Sequence, residues 1–173
     1  MAHDTQPAPD PGQAPPPTLE AKVVTVSDGV IAGTRDDTSG RALAQRLTEA
    51  GWTVVDQRAI PDGVESVRDT LIELAEGFSG VIVTTGGTGF GPRDLTPEGT
   101  AAAVERQAPG LAEAMRTCNP AGLGRLSRAI AGTRGRALIL NTPGSTKGSV
   151  ETVEAVLDVL GHAVDLLAGG RPH

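Results

Sequence analysis

The chain has 173 residues and a formal net charge of −6, from 15 Lys and Arg against 21 Asp and Glu. This length suits one domain with its own core, and a hydrophobic content of 38% is typical of a globular protein. The single cysteine excludes a disulfide framework and a cysteine-built zinc site, and the acidic balance with 2% aromatic residues argues against nucleic-acid binding. No apolar run approaches the roughly 18 residues of a membrane span. The N-terminus lacks the pattern of a secretory signal, so we expect a soluble, cytoplasmic protein without a membrane partner.

Residues 1–19 are predicted to form a disordered, proline-rich tail. Six of the 13 prolines lie in this segment, which contains almost nothing apolar to bury. Such a segment cannot offset the entropy lost on ordering. Residues 20–173 show no further change of composition and no internal repeat, so we assign them to one domain.

In the first half of this domain, short apolar runs alternate with helical patterns. The pattern predicts, in chain order, a strand over 22–28, a helix over 38–50, a strand over 52–60, a helix over 64–74 and a strand over 80–85. Thr38 or Ser39 is the expected cap of the first helix, because both side chains can accept a hydrogen bond from a backbone N–H of the first turn.

The second half of the domain continues the alternation. It predicts a helix opened by Pro97, a short helix over 111–116, strands over 129–133 and 136–141 that can form a hairpin, and one long helix over 150–167. The apolar stripe of the last helix packs either on the sheet or on another subunit. Alternating strands and helices predict an α/β fold, a three-layer sandwich with a mostly parallel central sheet.

The sharpest chemical signal is the glycine-rich segment Thr84–Glu98, TTGGTGFGPRDLTPE, which joins a predicted strand to a helix. Glycines let backbone N–H groups approach an anion, and a helix N-terminus adds favourable partial charge. The segment matches neither GxxxxGK[ST] nor GxGxxG. We interpret it as a place to hold phosphate; the alternative is a tight turn that needs glycine only for its backbone shape.

A second loop, Asn141–Ser149, also joins a strand to a helix. It brings Ser145, Ser149 and Lys147, one of only two lysines in the chain, close to a helix start. This arrangement predicts a further anion contact. A capped turn with a solvated lysine is the alternative.

Three carboxylates follow the first three predicted strands. Asp28 ends the first strand, Asp62 follows the second, and Asp94 lies in the loop after the third. If the strands are parallel, all three lie at the carboxyl edge of one sheet, where ligands of open α/β sheets bind. Carboxylates beside a phosphate cradle are suited to Mg²⁺. Each could also be a cap or turn former, and Asp28 is the weakest candidate.

These loops resemble the MoaB/Mog family of molybdenum-cofactor biosynthesis proteins. The resemblance is carried by Thr84–Glu98 and Asn141–Gly148, and it covers about residues 20–168. Further matching segments are Val26–Asp28, Asp37–Gly40, Ile60–Asp62 and Leu126–Ala129.

The resemblance implies a compact, molybdopterin-binding α/β domain that assembles as a trimer or a dimer of trimers. Active members of the family use ATP and Mg²⁺ to place AMP on the terminal phosphate of molybdopterin, releasing pyrophosphate. It implies that Asp62 and Asp94 are catalytic and hold the metal. The predicted substrate- and nucleotide-binding residues are Ser27, Asp28, Thr85, Gly86, Gly87, Thr88, Gly89, Pro143, Gly144, Ser145 and Lys147.

Two other functions stay open at this point. One is a carrier or scaffold of the MoaB branch that binds molybdopterin without catalysis. The other is an α/β domain whose glycine loop is purely structural. The presence of both aspartates favours the adenylyltransferase.

Overall fold

The computed structural model describes residues 18–171. Most of the predicted tail, residues 1–17, lies outside the described residues. Leu19, which the sequence assigns to the tail, packs against the core, and its carbonyl accepts a hydrogen bond from Thr53 N at 2.7 Å.

The described residues contain one six-stranded sheet. Its strands are β1 (Glu20–Val26), β2 (Thr53–Ile60), β3 (Gly80–Thr85), β4 (Arg106–Gln107), β5 (Ala131–Arg134) and β6 (Ala137–Thr142). The spatial order is β2-β1-β3-β6-β5-β4; the first four strands pair in parallel, and β5 and β4 are antiparallel. The predicted α/β class, the mostly parallel sheet and the hairpin between β5 and β6 are confirmed.

Helices cover both faces of this sheet. They are α1 (Asp28–Ile31), α2 (Thr38–Glu49), α3 (Val64–Ala75), α4 (Thr96–Ala103), α5 (Pro109–Thr117), α6 (Thr146–Glu154) and α7 (Leu157–Leu167), with a 3₁₀ turn at Leu123–Leu126. Two apolar clusters fill the interfaces: α2, α5, α6 and α7 pack on one face, and α3 and α4 on the other. Every residue of β3 and β6 is buried, as expected of strands covered on both faces. The predicted three-layer sandwich is therefore confirmed.

Two predicted features were wrong in detail. The long C-terminal helix is two helices, because Ala155 and Val156 interrupt it, and Leu160 and Val164 of α7 are buried in the core of the same chain. Asp37, not Thr38 or Ser39, caps α2 by accepting a hydrogen bond from the backbone N–H of Gly40.

The end of the first strand was also mispredicted. β1 ends at Val26, so Asp28 does not end the strand but begins α1, whose cap is Ser27. A four-residue helix is too short to produce a periodic pattern. The two exposed residues of β4, which were not predicted as a strand, likewise leave no alternation to detect.

The topology creates a crevice at the carboxyl edge of the sheet. The chain passes from β1 to β2 on one side and then crosses to β3 on the other, so strand order reverses between β1 and β3. Ligands of open α/β sheets bind at such switch points. No helix within residues 18–171 is long and apolar enough to cross a membrane.

Candidate active site

A cavity of about 910 Å³ lies at this switch point. Its walls come from the loops that follow β1, β2, β3 and β6, together with α5 and the 3₁₀ turn. The predicted site residues that line it are Ser27, Asp62, Thr85, Gly86, Gly87, Thr88, Gly89, Asp94, Pro143, Gly144, Ser145 and Lys147. Asp28 does not line the cavity, although its neighbours in the sequence motif do.

The glycine loop is fixed between two strands at its first residue. Gly86 has φ +103° and donates a hydrogen bond to Thr142 O at 3.1 Å. A Cβ at this position would lie 2.4 Å from Val26 O, which is shorter than any ordinary contact. Gly87 follows with φ +67°. Only glycine meets both requirements at Gly86, a positive φ and a close approach to a neighbouring backbone.

Beyond Gly86 the loop offers free hydrogen-bond donors. The backbone N–H groups of Gly87, Thr88 and Gly89 donate to no acceptor among residues 18–171, and all three residues line the cavity. Unpaired N–H groups at a strand-to-helix turn form a concave site for anions. This geometry suits the phosphate site that the sequence predicts, and phosphate binding by the loop stays a prediction.

Asp94 folds back beneath this loop. Its Oδ2 accepts a hydrogen bond from Gly91 N at 2.7 Å. A Cβ at Gly89 or Gly91 would lie 2.9 or 2.8 Å from the same oxygen, so the small residues let the carboxylate sit close to the loop backbone. The carboxylate of Asp94 thus holds the loop and borders the cavity at the same time.

Arg128 donates hydrogen bonds to three carbonyls of the glycine loop. Its backbone N donates to Thr88 O at 2.9 Å, its Nε donates to Gly89 O at 2.8 Å, and its Nη2 donates to the carbonyl of Asp94. The guanidinium also donates a hydrogen bond to Glu98 and forms an ion pair with it, which lowers the pKa of that carboxyl and raises the pKa of Arg128. The resemblance included Arg128 in a matching segment, but sequence reasoning assigned it no role.

Asp28 and Asp62 brace each other. Asp28 N donates to Asp62 Oδ2 at 2.9 Å, and Asp62 N donates to Asp28 Oδ1 at 3.0 Å. The second oxygen of Asp28 is 2.5 Å from Arg93 Nη2. Both oxygens of Asp28 therefore have partners within the protein, whereas Oδ1 of Asp62 has no hydrogen-bond donor among residues 18–171.

The second loop packs against the first. Thr85 Oγ1 donates to Pro143 O at 2.9 Å, and a Cβ at Gly144 would lie 3.3 Å from Gly86 Cα. Ser145 caps α6 by accepting a hydrogen bond from its Gly148 N–H at 3.2 Å. The two strand-to-helix loops therefore form one continuous wall of the cavity.

The two remaining polar residues of the second loop differ in exposure. The side chain of Lys147 is 84% exposed, with its Nζ 3.6 Å from Glu151 Oε1, so it can swing over the cavity that it lines. Ser149 is buried and donates to Thr146 O at 2.9 Å. Ser149, a candidate anion contact in the sequence, is not part of the cavity wall.

Several cavity residues were missed by sequence reasoning. Arg35 and Arg116 add two basic side chains to a wall that also carries several carboxylates. Phe90 and Leu123 add apolar side chains at the rim, where they are 70% and 81% exposed. These residues come from loops and from α5, and no local motif connects them with the glycine loop.

Comparison with known proteins identifies the family. The model of the family described as "Probable molybdopterin binding domain" matches residues 22–162. The molybdopterin adenylyltransferase of Escherichia coli K12 is 39% identical over 154 residues, which cover 85% of this chain and 78% of the relative. That of Helicobacter pylori J99 is 33% identical over 159 residues, covering 88% and 89%. The crystal structure of the molybdopterin biosynthesis enzyme MoaB from Thermus thermophilus matches with a TM-score of 0.83 and 42% identity, covering 90% of this chain and 99% of that one. The chain therefore belongs to the molybdopterin-binding domain family of molybdenum-cofactor biosynthesis proteins.

Proposed function

We propose that this protein is a molybdopterin adenylyltransferase. In the reaction, an oxygen of the terminal phosphate of molybdopterin attacks the α-phosphorus of ATP, and the bond to the β-phosphate breaks to release pyrophosphate. The observation that carries the proposal is the row of unpaired N–H groups at Gly87, Thr88 and Gly89, with Asp62 and Asp94 in the same cavity. The relatives named for this activity support it.

The chain's own contribution to the reaction is positioning and charge stabilisation. The free N–H groups of Gly87–Gly89 would hold non-bridging phosphate oxygens, on which charge accumulates as the adenylyl group is transferred. Donors that are already oriented need no reorganisation during the reaction, which is why such groups lower the barrier. Arg128 would keep the donors in place through its bonds to the carbonyls of Thr88 and Gly89.

Asp62 and Asp94 are the residues that we propose to hold Mg²⁺. Among residues 18–171, no group of three or more His, Cys, Asp or Glu side chains could hold a metal ion by itself. Two carboxylates beside a phosphate cradle instead suit an ion that binds through one or two carboxylates and the substrate phosphates. When bound, the ion would neutralise phosphate charge during transfer.

The part of the wall formed by the second loop and Ser27 is our candidate for the molybdopterin side. Ser27, Pro143, Gly144, Ser145 and Lys147 border the cavity there. The exposed ammonium group of Lys147, a point charge on a flexible side chain, is suited to contact a phosphate. Thr85 and Gly86 join this wall to the phosphate cradle, and Asp28 would act indirectly by fixing the backbone of Asp62.

The trimer, or dimer of trimers, is a separate part of the proposal. It rests on the family resemblance, because the apolar stripe of the last helix turns out to pack on the core of its own chain. Sedimentation of a monomer at micromolar concentration would contradict it. The cytoplasmic location stays a prediction.

Pyrophosphate release tests the proposed activity. The protein is mixed with freshly prepared molybdopterin, ATP and Mg²⁺, and the Asp62→Asn and Asp94→Asn variants are assayed beside it. Asp36→Asn is the matched control, since Asp36 lines the same cavity and the change removes the same charge. We expect release that requires both substrates and metal, that is lost in the first two variants and that persists in the control.

Absence of release has a specific meaning in this assay. If the wild-type protein binds molybdopterin tightly but releases no pyrophosphate, the carrier or scaffold function replaces the enzyme. If it binds neither substrate under any metal condition, the glycine loop is structural. Normal release by Asp94→Asn would refute the catalytic role given to Asp94.

A further inference from the structure

Thr96 carries an unusual hydroxyl group. Its Oγ1 is the one buried side-chain N or O atom within residues 18–171 that has no hydrogen-bond partner. The residue is 0% exposed. Buried polar groups in folded proteins almost always find a partner, because burial without one is unfavourable. Valine would fill the same space without that penalty, so packing alone does not explain a threonine here.

The hydroxyl does not serve as a helix cap. Thr96 is the first residue of α4, and the capping residue before it, Leu95, forms no side-chain cap bond. The backbone N of Thr96 donates to Gly87 O at 3.1 Å, which joins the helix to the glycine loop. The side chain, however, adds no bond to this connection.

The position of the hydroxyl connects it with Asp62. Oγ1 of Thr96 lies 2.3 Å from the point that a Cβ of Gly87 would occupy, so the missing side chain of Gly87 makes room for it. Oδ1 of Asp62 lies 3.6 Å from the same point. The other oxygen of this carboxylate already accepts a hydrogen bond from Asp28 N. Thr96 and the free oxygen of Asp62 therefore border the same small space beside Gly87, without bonding to each other.

We propose that Thr96 is a positioning residue that donates a hydrogen bond to Oδ1 of Asp62 when phosphate and Mg²⁺ occupy the glycine loop. The hydroxyl is kept unpaired in the free protein and becomes paired in the loaded one. With both oxygens held, by Asp28 N and by Thr96, the carboxylate has one orientation toward the metal. Hydrogen bonds to metal-binding carboxylates change metal affinity or activity about 10- to 100-fold. This inference rests on the proposed function.

Three variants separate this role from a structural one. Thr96→Val removes the hydroxyl and keeps the shape, and Thr96→Ser keeps the hydroxyl and removes a buried methyl group. Thr100→Val is the matched control, because Thr100 is buried on the same helix but accepts a hydrogen bond from Asn141 Nδ2 at 2.9 Å. Two quantities are measured for each: the melting temperature of the ligand-free protein, and the Mg²⁺ concentration for half-maximal pyrophosphate release.

Only Thr96→Val should change the Mg²⁺ dependence, and it should do so without a loss of stability. Thr96→Val should melt at or above the wild-type temperature, yet need about 10- to 100-fold more Mg²⁺. Thr96→Ser should melt lower and keep the wild-type Mg²⁺ dependence. Thr100→Val should melt lower and also keep it.

Three results would overturn the inference. A lower melting temperature for Thr96→Val with unchanged Mg²⁺ dependence would mean that the hydroxyl has a structural partner in the free protein. Wild-type Mg²⁺ dependence in Thr96→Val at any stability would remove the link to Asp62 while leaving the proposed function intact. A wild-type protein without Mg²⁺-dependent release would overturn the proposed function, and this inference with it.

Discussion

Gly86→Ala should destabilise the protein far more than the same change at Gly51. Both glycines have a positive φ, +103° and +90°. An L-residue in the left-handed region lowers the free energy of unfolding by about 1–2 kcal/mol. Replacing glycine by alanine also restricts the unfolded chain, and this raises the free energy of unfolding by about 0.4–1 kcal/mol. Nothing lies within 4 Å of a Cβ at Gly51, so we expect a loss of about 1 kcal/mol there.

At Gly86 a further cost is added by close approach. The new Cβ would lie 2.4 Å from Val26 O, an atom of the backbone that cannot turn away as a side chain could. Overpacking of this kind costs about 1–3 kcal/mol. The free energy of unfolding of Gly86→Ala should therefore be about 2 kcal/mol below that of Gly51→Ala. This difference corresponds to a melting temperature about 4–8 °C lower in a protein of this size.

Urea denaturation and thermal melting of the two variants measure this difference. We expect the Gly86→Ala protein to lose pyrophosphate release as well, because the displaced loop no longer presents its N–H groups, whereas Gly51→Ala should stay active. Equal stability losses in the two variants would refute the account of the loop as a backbone held against β1.

Three other changes test the support of the loop. Asn141→Ala should reduce the free energy of unfolding by about 3 kcal/mol in urea denaturation. The buried amide donates hydrogen bonds to the hydroxyls of Thr84 and Thr100 and accepts one from Ile130 N, and alanine replaces none of them. A loss under about 1 kcal/mol would contradict this. Arg128→Lys should lower the turnover number about 100-fold, because a lysine keeps the charge but its single ammonium group cannot bond to both loop carbonyls at once. Wild-type turnover in this variant would refute the role of the guanidinium group. The ion pair with Arg128 lowers the pKa of Glu98 in the folded state, so its contribution to stability is complete above the ordinary glutamate pKa of 4.5 and is lost as the pH falls through the lowered value. Chemical denaturation of Glu98→Gln beside the wild type should therefore give a stability difference that is constant at neutral pH and shrinks in acid, and a difference that grows in acid would contradict this sign.

The strand framework could be predicted because each central strand carries its signal locally. β3 and β6 are buried on both faces, so their sequences are mostly runs of apolar and β-branched residues, with Asn141 as the polar exception in β6. β4 has two exposed residues and depends on pairing with β5, which no local pattern reveals. The apolar stripe of the last two helices continues through Ala155 and Val156, so periodicity alone could not reveal the break between them.

The parts of the site that directly follow the parallel strands in the sequence were predictable. The glycine loop and Asp62 follow directly from parallel strands that end at one edge of the sheet. The roles of Arg128 and Arg93 were not predictable, because their partners lie far away in sequence and are partly backbone atoms. The engagement of both oxygens of Asp28, and the unpaired hydroxyl of Thr96, are properties of the folded geometry alone.

Direct detection of the product tests the central claim most directly. Molybdopterin is incubated with ATP, Mg²⁺ and the protein, and the pterin released on denaturation is examined by mass spectrometry. The account predicts molybdopterin that carries one AMP group on its terminal phosphate, formed by the wild-type protein and by Asp36→Asn but not by Asp62→Asn or Asp94→Asn. Recovery of unmodified molybdopterin from a wild-type protein that had bound it would contradict the claim and establish a carrier.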